Sequence, residues 1–463
     1  MKYRNIVFIL FALTSAAFAR NKVIEKHFQV KPSQVIQLKD LDGAKVSIKT
    51  WDKDEIYVKL KVNFRSSDDE YEENVIKSYD VVSNEDGQSL VISTKRIGNE
   101  STWSHFLGIK FRFMFYESSD SEGEIYVPRR NPLNSYLSYC TILLEDMKSE
   151  VSLIGTSNKL ALRNCSVLKQ VANNYGETRI EKTSGSLSLR SKSGNISVID
   201  HAGALTIEGD YSNITLDRIK DKVSINSVSG KHNISNIGGD LYLNSNYSTI
   251  RIENVNGFTD VTDKSGSITV RKTGGLQIKG DYSDIDVLGV SGKSGSEIII
   301  KGQSGKLKIE DAAGKLTINN PYSSMFLKNI KGDVELKGTS SSITAESIDG
   351  SWESSTQYSK LLVKGLSGRR VKVINKSDPV TFELLNVPSD IDIQNEYGGV
   401  NITMPEGFSG DINMDVAYGK IHSNIPVKIK DLGGSAYAAG KIGSGSGKIK
   451  IETKSSNITL TQK

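Results

Sequence analysis

Branched aliphatic residues return along this chain at an interval of 18: Leu144, Leu162, Ile180, Val198, Leu216, Ile234, Ile252 and Val270. Two positions before each stand Ile142, Leu160, Thr178, Ile196, Ile214, His232, Ile250 and Ile268. A spacing of two puts both side chains on one face of a strand. A second apolar set, Leu153, Val171, Leu189, Ile207, Ile225, Leu243 and Val261, keeps the same interval until one residue is lost and Ile278 takes over. Between the two strands the corner is glycine at Gly185, Gly203, Gly239, Gly257 and Gly275, where a turn needs positive φ or neighbouring backbone comes close. Two short strands cannot bury their apolar face alone, so the pattern predicts coils that stack, each strand pairing in parallel with its equivalent above and below. The fold class is therefore all-β, a single-stranded parallel β-helix or β-solenoid of about 18 residues per coil. The preference of parallel crossovers predicts a right-handed one.

Tyrosine marks every second coil. Tyr139, Tyr175, Tyr211 and Tyr247 are 36 residues apart, Tyr282, Tyr322, Tyr358, Tyr397 and Tyr418 continue less strictly, and Ser157, Ser193, Ser229 and Ser265 fill the slot between. Successive rings would stand about 9.6 Å apart on one edge, twice the strand spacing. Tyr175, Tyr211, Tyr247, Tyr282, Tyr322 and Tyr358 are thus a candidate ladder for stacking on the sugars of an extended glycan. The competing reading, favoured by the sequence, makes each ring a lid on a corner of the core, with serine making room between.

The ends depart from the rule. Residues 1–19 read as a secretory signal, with Lys2 and Arg4 before an apolar run and Ala17-Phe18-Ala19 as the cleavage site. Residues 20–130 read as an N-terminal cap of strands with one short helix opening after Ser67, and carry an aromatic insertion at 101–124. Residues 131–396 hold the regular coils, and 397–463 the C-terminal coils and cap. Within the insertion Trp103, Phe106, Phe111, Phe113 and Phe115 are candidates for binding a protein partner. The plainer reading is a hairpin whose rings pack on the cap. Gly43-Ala44-Lys45-Val46-Ser47-Ile48, Trp51-Asp52-Lys53-Asp54-Glu55-Ile56, Ile125-Tyr126-Val127-Pro128 and the closing Ile442-Gly443-Ser444-Gly445 resemble the bacterial putative-adhesin β-solenoids. That resemblance implies an exported, adhesin-like domain with no agreed catalytic or binding residues.

Composition narrows the chemistry. The formal charge of +5 is spread without a basic stripe, which argues against a nucleic-acid partner. No apolar run reaches the length of a membrane-spanning helix. Cys140 and Cys165 fall at different corners, a poor geometry for a disulfide, so two thiols are expected. The five histidines, His27, His105, His201, His232 and His422, lack metal-ligand spacing, and no metal or other cofactor is expected. His201 and His232 read as corner or core residues. A carbohydrate-active enzyme would need convergent carboxylates, for which Asp210, Asp217, Asp281, Asp284 and Asp286 can be assembled, but outward strand positions are commonly charged. The expectation is a non-catalytic binding or scaffold protein, exported to the periplasm or cell surface, whose partner is a surface glycan or an envelope protein.

Overall fold

In the computed structural model the described residues are 20–40, 44–65, 73, 76–77, 79–95, 103–106, 109–112, 118–292 and 297–463. They fall in two compact units, residues 1–161 and 162–463. Residues 1–19, read above as a secretory signal, lie outside the described residues, as does most of the short helix expected after Ser67, of which Glu73, Ile76 and Lys77 are helical.

The second unit is a β-solenoid. Ile180, Val198, Leu216, Ile234 and Ile252 lie side by side in successive parallel strands, as do Leu189, Ile207, Ile225, Leu243 and Val261. All ten are buried. Strands alternate inward aliphatic with outward polar residues, so that Leu187–Lys192 reads buried, exposed, buried, exposed along its length. Parallel pairing in register puts each apolar residue on the same residue of the coils above and below, which buries what a lone coil would expose. Toward the C-terminus the core takes in Trp352, whose ring meets Phe382 edge-on at 6.0 Å and whose indole N–H donates to Ser354 Oγ at 3.0 Å.

The sharp corners are only partly the glycines. Gly185 and Gly203 have φ of 108° and 144°. Gly239 and Gly257 serve by close packing, since a Cβ there would lie 2.8 Å from Lys222 N and 2.7 Å from Gly239 C. The left-handed turns lie elsewhere, in two files of non-glycine residues. One runs through Lys182, Asp200, Arg218, Asn236 and Asn254, and the other through Tyr175, Ser193 and Tyr211.

The two ends use one topological device. In the first unit Val35–Lys39 lies between Ser89–Lys95 and Leu133–Tyr136, and Ala44–Trp51 lies between Ser118–Pro128 and Thr141–Glu145, all in parallel. The first coil in the chain is thus the second in space. Antiparallel strands close the outer edges, Asp80–Asp86 on Ser89–Lys95, and Glu55–Arg65 with Arg20–Gln29 beyond Ser118–Pro128. In the second unit Gly447–Ser455 lies between Asp390–Asn395 and Gly410–Tyr418, and Ile458–Gln462 between Val400–Met404 and Ile421–Ser423. Ala436–Ile442 then covers the far edge of Gly410–Tyr418 in antiparallel fashion, with Ile429–Asp431 outside it. Free chain ends fray, and an open sheet edge recruits other strands. Tucking the first and last coils one place inward holds those coils from both sides, and the antiparallel strands, Arg20–Gln29 outermost in the first unit, cover the edges. The sequence foresaw two closing strands but not that they insert between earlier ones.

Candidate functional site

Half of the tyrosine file of the second unit stands on a repeated local turn. Tyr175, Tyr211, Tyr322 and Tyr358 have φ of 58°, 52°, 56° and 52°. After three of them, Tyr211, Tyr322 and Tyr358, comes a serine whose hydroxyl closes the turn. Ser212 Oγ donates to Asp210 O at 3.1 Å, Ser323 Oγ to Pro321 O at 3.0 Å and Ser359 Oγ to Gln357 O at 3.0 Å. Each of these serines is buried while the tyrosine before it is not. The same hydroxyls accept from the coil before, Gly194 N–H reaching Ser212 Oγ at 3.1 Å and Ser341 N–H reaching Ser359 Oγ at 3.1 Å. The left-handed turn rotates the ring out of the wall, and serine takes the corner of the core.

The lid reading is therefore overturned. Tyr175, Tyr211, Tyr247, Tyr282, Tyr322, Tyr358, Tyr397 and Tyr418 are between 48% and 75% exposed. At Tyr211, Tyr322 and Tyr358 the reason is the turn: strand parity stops where φ changes sign, and it is the next residue that points inward. Replacing Tyr211 by glycine is expected to leave stability within about 1 kcal/mol of the parent or raise it, because glycine adopts the left-handed turn without strain. A core lid would instead cost about 3 kcal/mol or more. Urea midpoints of the parent, Tyr211→Gly and Leu216→Ala separate the two cases, with only Leu216→Ala expected to fall by several kcal/mol.

The spacing of the file is kept by the inserted C-terminal coil. Tyr397 and Tyr418 are a single coil apart in the chain, which breaks the two-coil rhythm. In the structure Ser455 pairs with Tyr418, and its N–H donates to Glu396 O at 3.1 Å, so the inserted coil stands between the two rings. Two neighbours steady individual rings: Tyr282 Oη donates to Gln303 Oε1 at 2.8 Å, and Lys376 Nζ lies 5.6 Å from the Tyr358 ring centre.

The other sequence candidates are placed as follows. Trp103–Phe106 and Ile109–Arg112 form a two-stranded antiparallel sheet of their own, pairing Trp103 with Arg112, Ser104 with Phe111 and Phe106 with Ile109. Phe113 and Phe115 lie outside the described residues. Three of the five aspartates hold separate structural bonds. Asp217 accepts from Ser235 at 2.8 Å and Asn236 at 2.7 Å, Asp284 accepts from Lys306 N–H at 2.9 Å, and Asp286 pairs with Arg271. Burial opposes ionisation of Asp217, but the bonds from Asn236 and Ser235 prevail and hold its carboxyl below the usual range. A groove of about 380 Å³ near the C-terminus gathers Glu396, Asp415 and Glu452. There Lys454 pairs with Glu396 at 2.6 Å and lowers its pKa, and Lys450 pairs with Glu452 at 2.9 Å. A glycosidase acid needs the opposite shift.

Among the described residues one carboxylate with a raised pKa, Asp263, is buried. Burial pushes Asp263 up to about 6, against hydrogen bonds from Ser283 Oγ and Ser248 N–H, both 3.3 Å. Burial likewise lowers His232 to about 4; its Nε2 lies 3.3 Å from Ser248 Oγ, and its Nδ1 is buried without a partner. Ser, His and Asp thus meet, but Asp263 holds the serine amide rather than the imidazole, and all three are buried. Sequence reasoning noticed His232 as a break in an aliphatic column and missed Asp263. Its signal was the small polar file Asn173, Ser191, Ser227 and Ser245, which Asp263 continues. His201 is a satisfied core residue, with Nδ1 2.9 Å from Thr183 Oγ1 and Nε2 3.0 Å from Gly185 O. Cys140 and Cys165 are buried thiols facing Ser138 O at 3.2 Å and Arg163 O at 3.4 Å. Among the described residues no group of three or more His, Cys, Asp or Glu is placed to hold a metal, and no helix is long and apolar enough to cross a membrane.

A stacked all-β solenoid with a regular row of exposed rings is the class defined here. Residues 35–287 match the Toastrack DUF4097 family, more than half of the chain, and the protein belongs to that family. This agrees with the adhesin-like, unknown-function resemblance read from the sequence. Among solved structures, the crystal structure of a putative cell adhesion protein from Clostridium sporogenes is similar over 96% of this chain and 100% of that one, at 10% identity and a TM-score of 0.16. No curated protein matches the chain.

Proposed function

We propose that this chain is an exported, non-catalytic, adhesin-like binding protein of the cell envelope, and that its tyrosine file holds an extended polysaccharide. One observation carries the reading. Bulky side chains occupy left-handed turns at Tyr175, Tyr211, Tyr322 and Tyr358, yet the rings contribute little to the core. Each such turn costs about 1 kcal/mol relative to glycine. The same slot accepts serine at Ser193 and Ser340, so the turn itself does not need the ring. A ring kept in solvent at that cost serves something that meets it there.

Flat rings repeated about 9.6 Å apart suit a ligand that is itself periodic and presents apolar sugar faces. Each contact is weak, and several together give avidity. The non-catalytic part of the reading is supported by particular carboxylates: Asp217, Asp286, Glu396 and Glu452 are ion-paired or hydrogen-bonded, and Asp263, whose pKa is raised, is buried. A glycan array probed with the mature parent and with a Tyr211→Ala, Tyr247→Ala, Tyr282→Ala chain tests the site. Binding by the parent is expected to fall at least tenfold in the triple variant, the loss of about 1.4 kcal/mol that a few stacking contacts supply. Equal binding by both folded chains defeats the ladder.

A further inference from the structure

Residues 447–463 hold a place in the stack that their position in the chain does not require. Ile449, Ile451, Ile458 and Leu460 are buried between strands that belong to earlier coils on both sides. The segment enters its slot by a short arch, residues 443–446. The two ends of the arch, Ile442 and Gly447, both sit opposite Gly410, so it crosses over the head of Gly410–Tyr418 from one flank to the other.

Ser409 clasps the arch. Its Oγ donates to Ile442 O at 3.1 Å and accepts from Gly445 N–H at 2.7 Å, while Gly447 N–H donates to Ser409 O at 3.2 Å. The crossing is tight. Gly443 has φ of 64°, and a Cβ on Gly445 would lie 2.5 Å from Ser409 O. Beyond the arch the segment pairs in parallel with the strands on both sides of its slot. Its ladder bonds and its four core side chains are indifferent to whether slot and segment share a chain.

We propose that residues 447–463 are an exchangeable donor segment and that the partner for the slot is a second copy of this chain. With the arch extended, each copy fills the slot of the other, and the result is a closed two-fold dimer in which both stacks are complete. The arch keeps the segment at high local concentration, so the monomer prevails in dilute solution. Crowding of copies, or an arch too stiff to turn, shifts the balance to the dimer. This inference does not depend on the ligand of the tyrosine file.

The test uses full-length chains carrying Gln394→Cys or Glu452→Cys, two outward positions that are register neighbours across the slot. Neighbouring strands bring such a pair within disulfide range. A chain with both substitutions, refolded dilute, is expected to form the bond within itself. The two single variants, refolded together at high concentration and then mildly oxidised, are expected to give a covalent dimer containing one of each. Its yield should rise with concentration, and severalfold further when both chains also carry Gly445→Val. Should Gly445→Val not fold, Ser409→Ala, which removes the clasp, replaces it. The unsubstituted chain, whose Cys140 and Cys165 are buried, sets the background. An intrachain bond in the double variant with no mixed dimer above background at any concentration, in parent arch or altered arch, overturns the proposal.

Discussion

A chain ending at Ser446 is expected to lose most of the stability of the C-terminal coils and to accumulate as aggregate. Removing the last coil of an ordinary solenoid would merely move its edge back by one. Here the missing coil lies between Asp390–Asn395 and Gly410–Tyr418, so its loss empties a slot inside the stack. Ile449, Ile451, Ile458 and Leu460 go with it, all at most 1% exposed in the intact chain. At about 2 to 3 kcal/mol for each buried aliphatic side chain, the loss is roughly 10 kcal/mol, as large as the whole stability of many domains. Two strand edges are exposed as well, each a template for aggregation. Thermal melts and limited proteolysis of the soluble fraction check this; a truncated chain that melts like the parent and resists cleavage between residues 390 and 442 contradicts it.

Changing Asp263 to asparagine is expected to make the protein markedly more sensitive to acid, and changing His232 to glutamine to do the reverse. His232 is lowered to about 4 from an ordinary 6.5. Its contribution is fully present above pH 6.5 and is lost as pH falls through 4, because only the unfolded chain protonates readily in that window. Asp263 is raised to about 6 from 3.8. Its contribution is fully present below pH 3.8 and is lost as pH rises through 6. Each shift of somewhat over two pH units corresponds to about 3 kcal/mol, and across pH 4 to 6.5 the two have opposite sign. In the parent they offset one another. Asp263→Asn leaves the histidine term alone, so stability relative to the parent should drop by about 3 kcal/mol between pH 7 and pH 4. His232→Gln should instead gain about as much over the same range. Other carboxylates act alike in all three chains, and differences between urea midpoints at pH 4, 5.5 and 7 cancel them. Parallel pH profiles for parent and Asp263→Asn would rule this account out. Ser248 touches both groups, so the two changes are not expected to be strictly additive.

Much of this was legible in the chain because stacking in register repeats an environment. Ile180, Val198, Leu216 and Ile234 sit in one column of the sequence and in one column of the core, with nothing between them but a ladder. His201 and His232 were visible as breaks in such columns, and both are buried. Asp263 was harder, since one acid among 54 carries no mark until its column is known to face inward. The rings were harder still. At Tyr211 the strand alternation that predicts direction has ended, and direction depends on a φ of 52° and on the hydroxyl of Ser212.

By itself the sequence determined the coil: its length, its two strands, its apolar faces and the recurrence of tyrosine at every second turn. These follow from side-chain patterns that only one periodic backbone satisfies. Tertiary structure alone decided which coils are neighbours at the ends, and therefore that Tyr397 and Tyr418 keep the two-coil spacing that the chain order denies them. The physical reason is that a strand edge is read by backbone N–H and C=O groups, which are the same in every coil. Lys448-Ile449-Lys450-Ile451 fits many edges in this protein, and only the closed stack, with its antiparallel cap on the far side of Gly410–Tyr418, leaves a single slot for it.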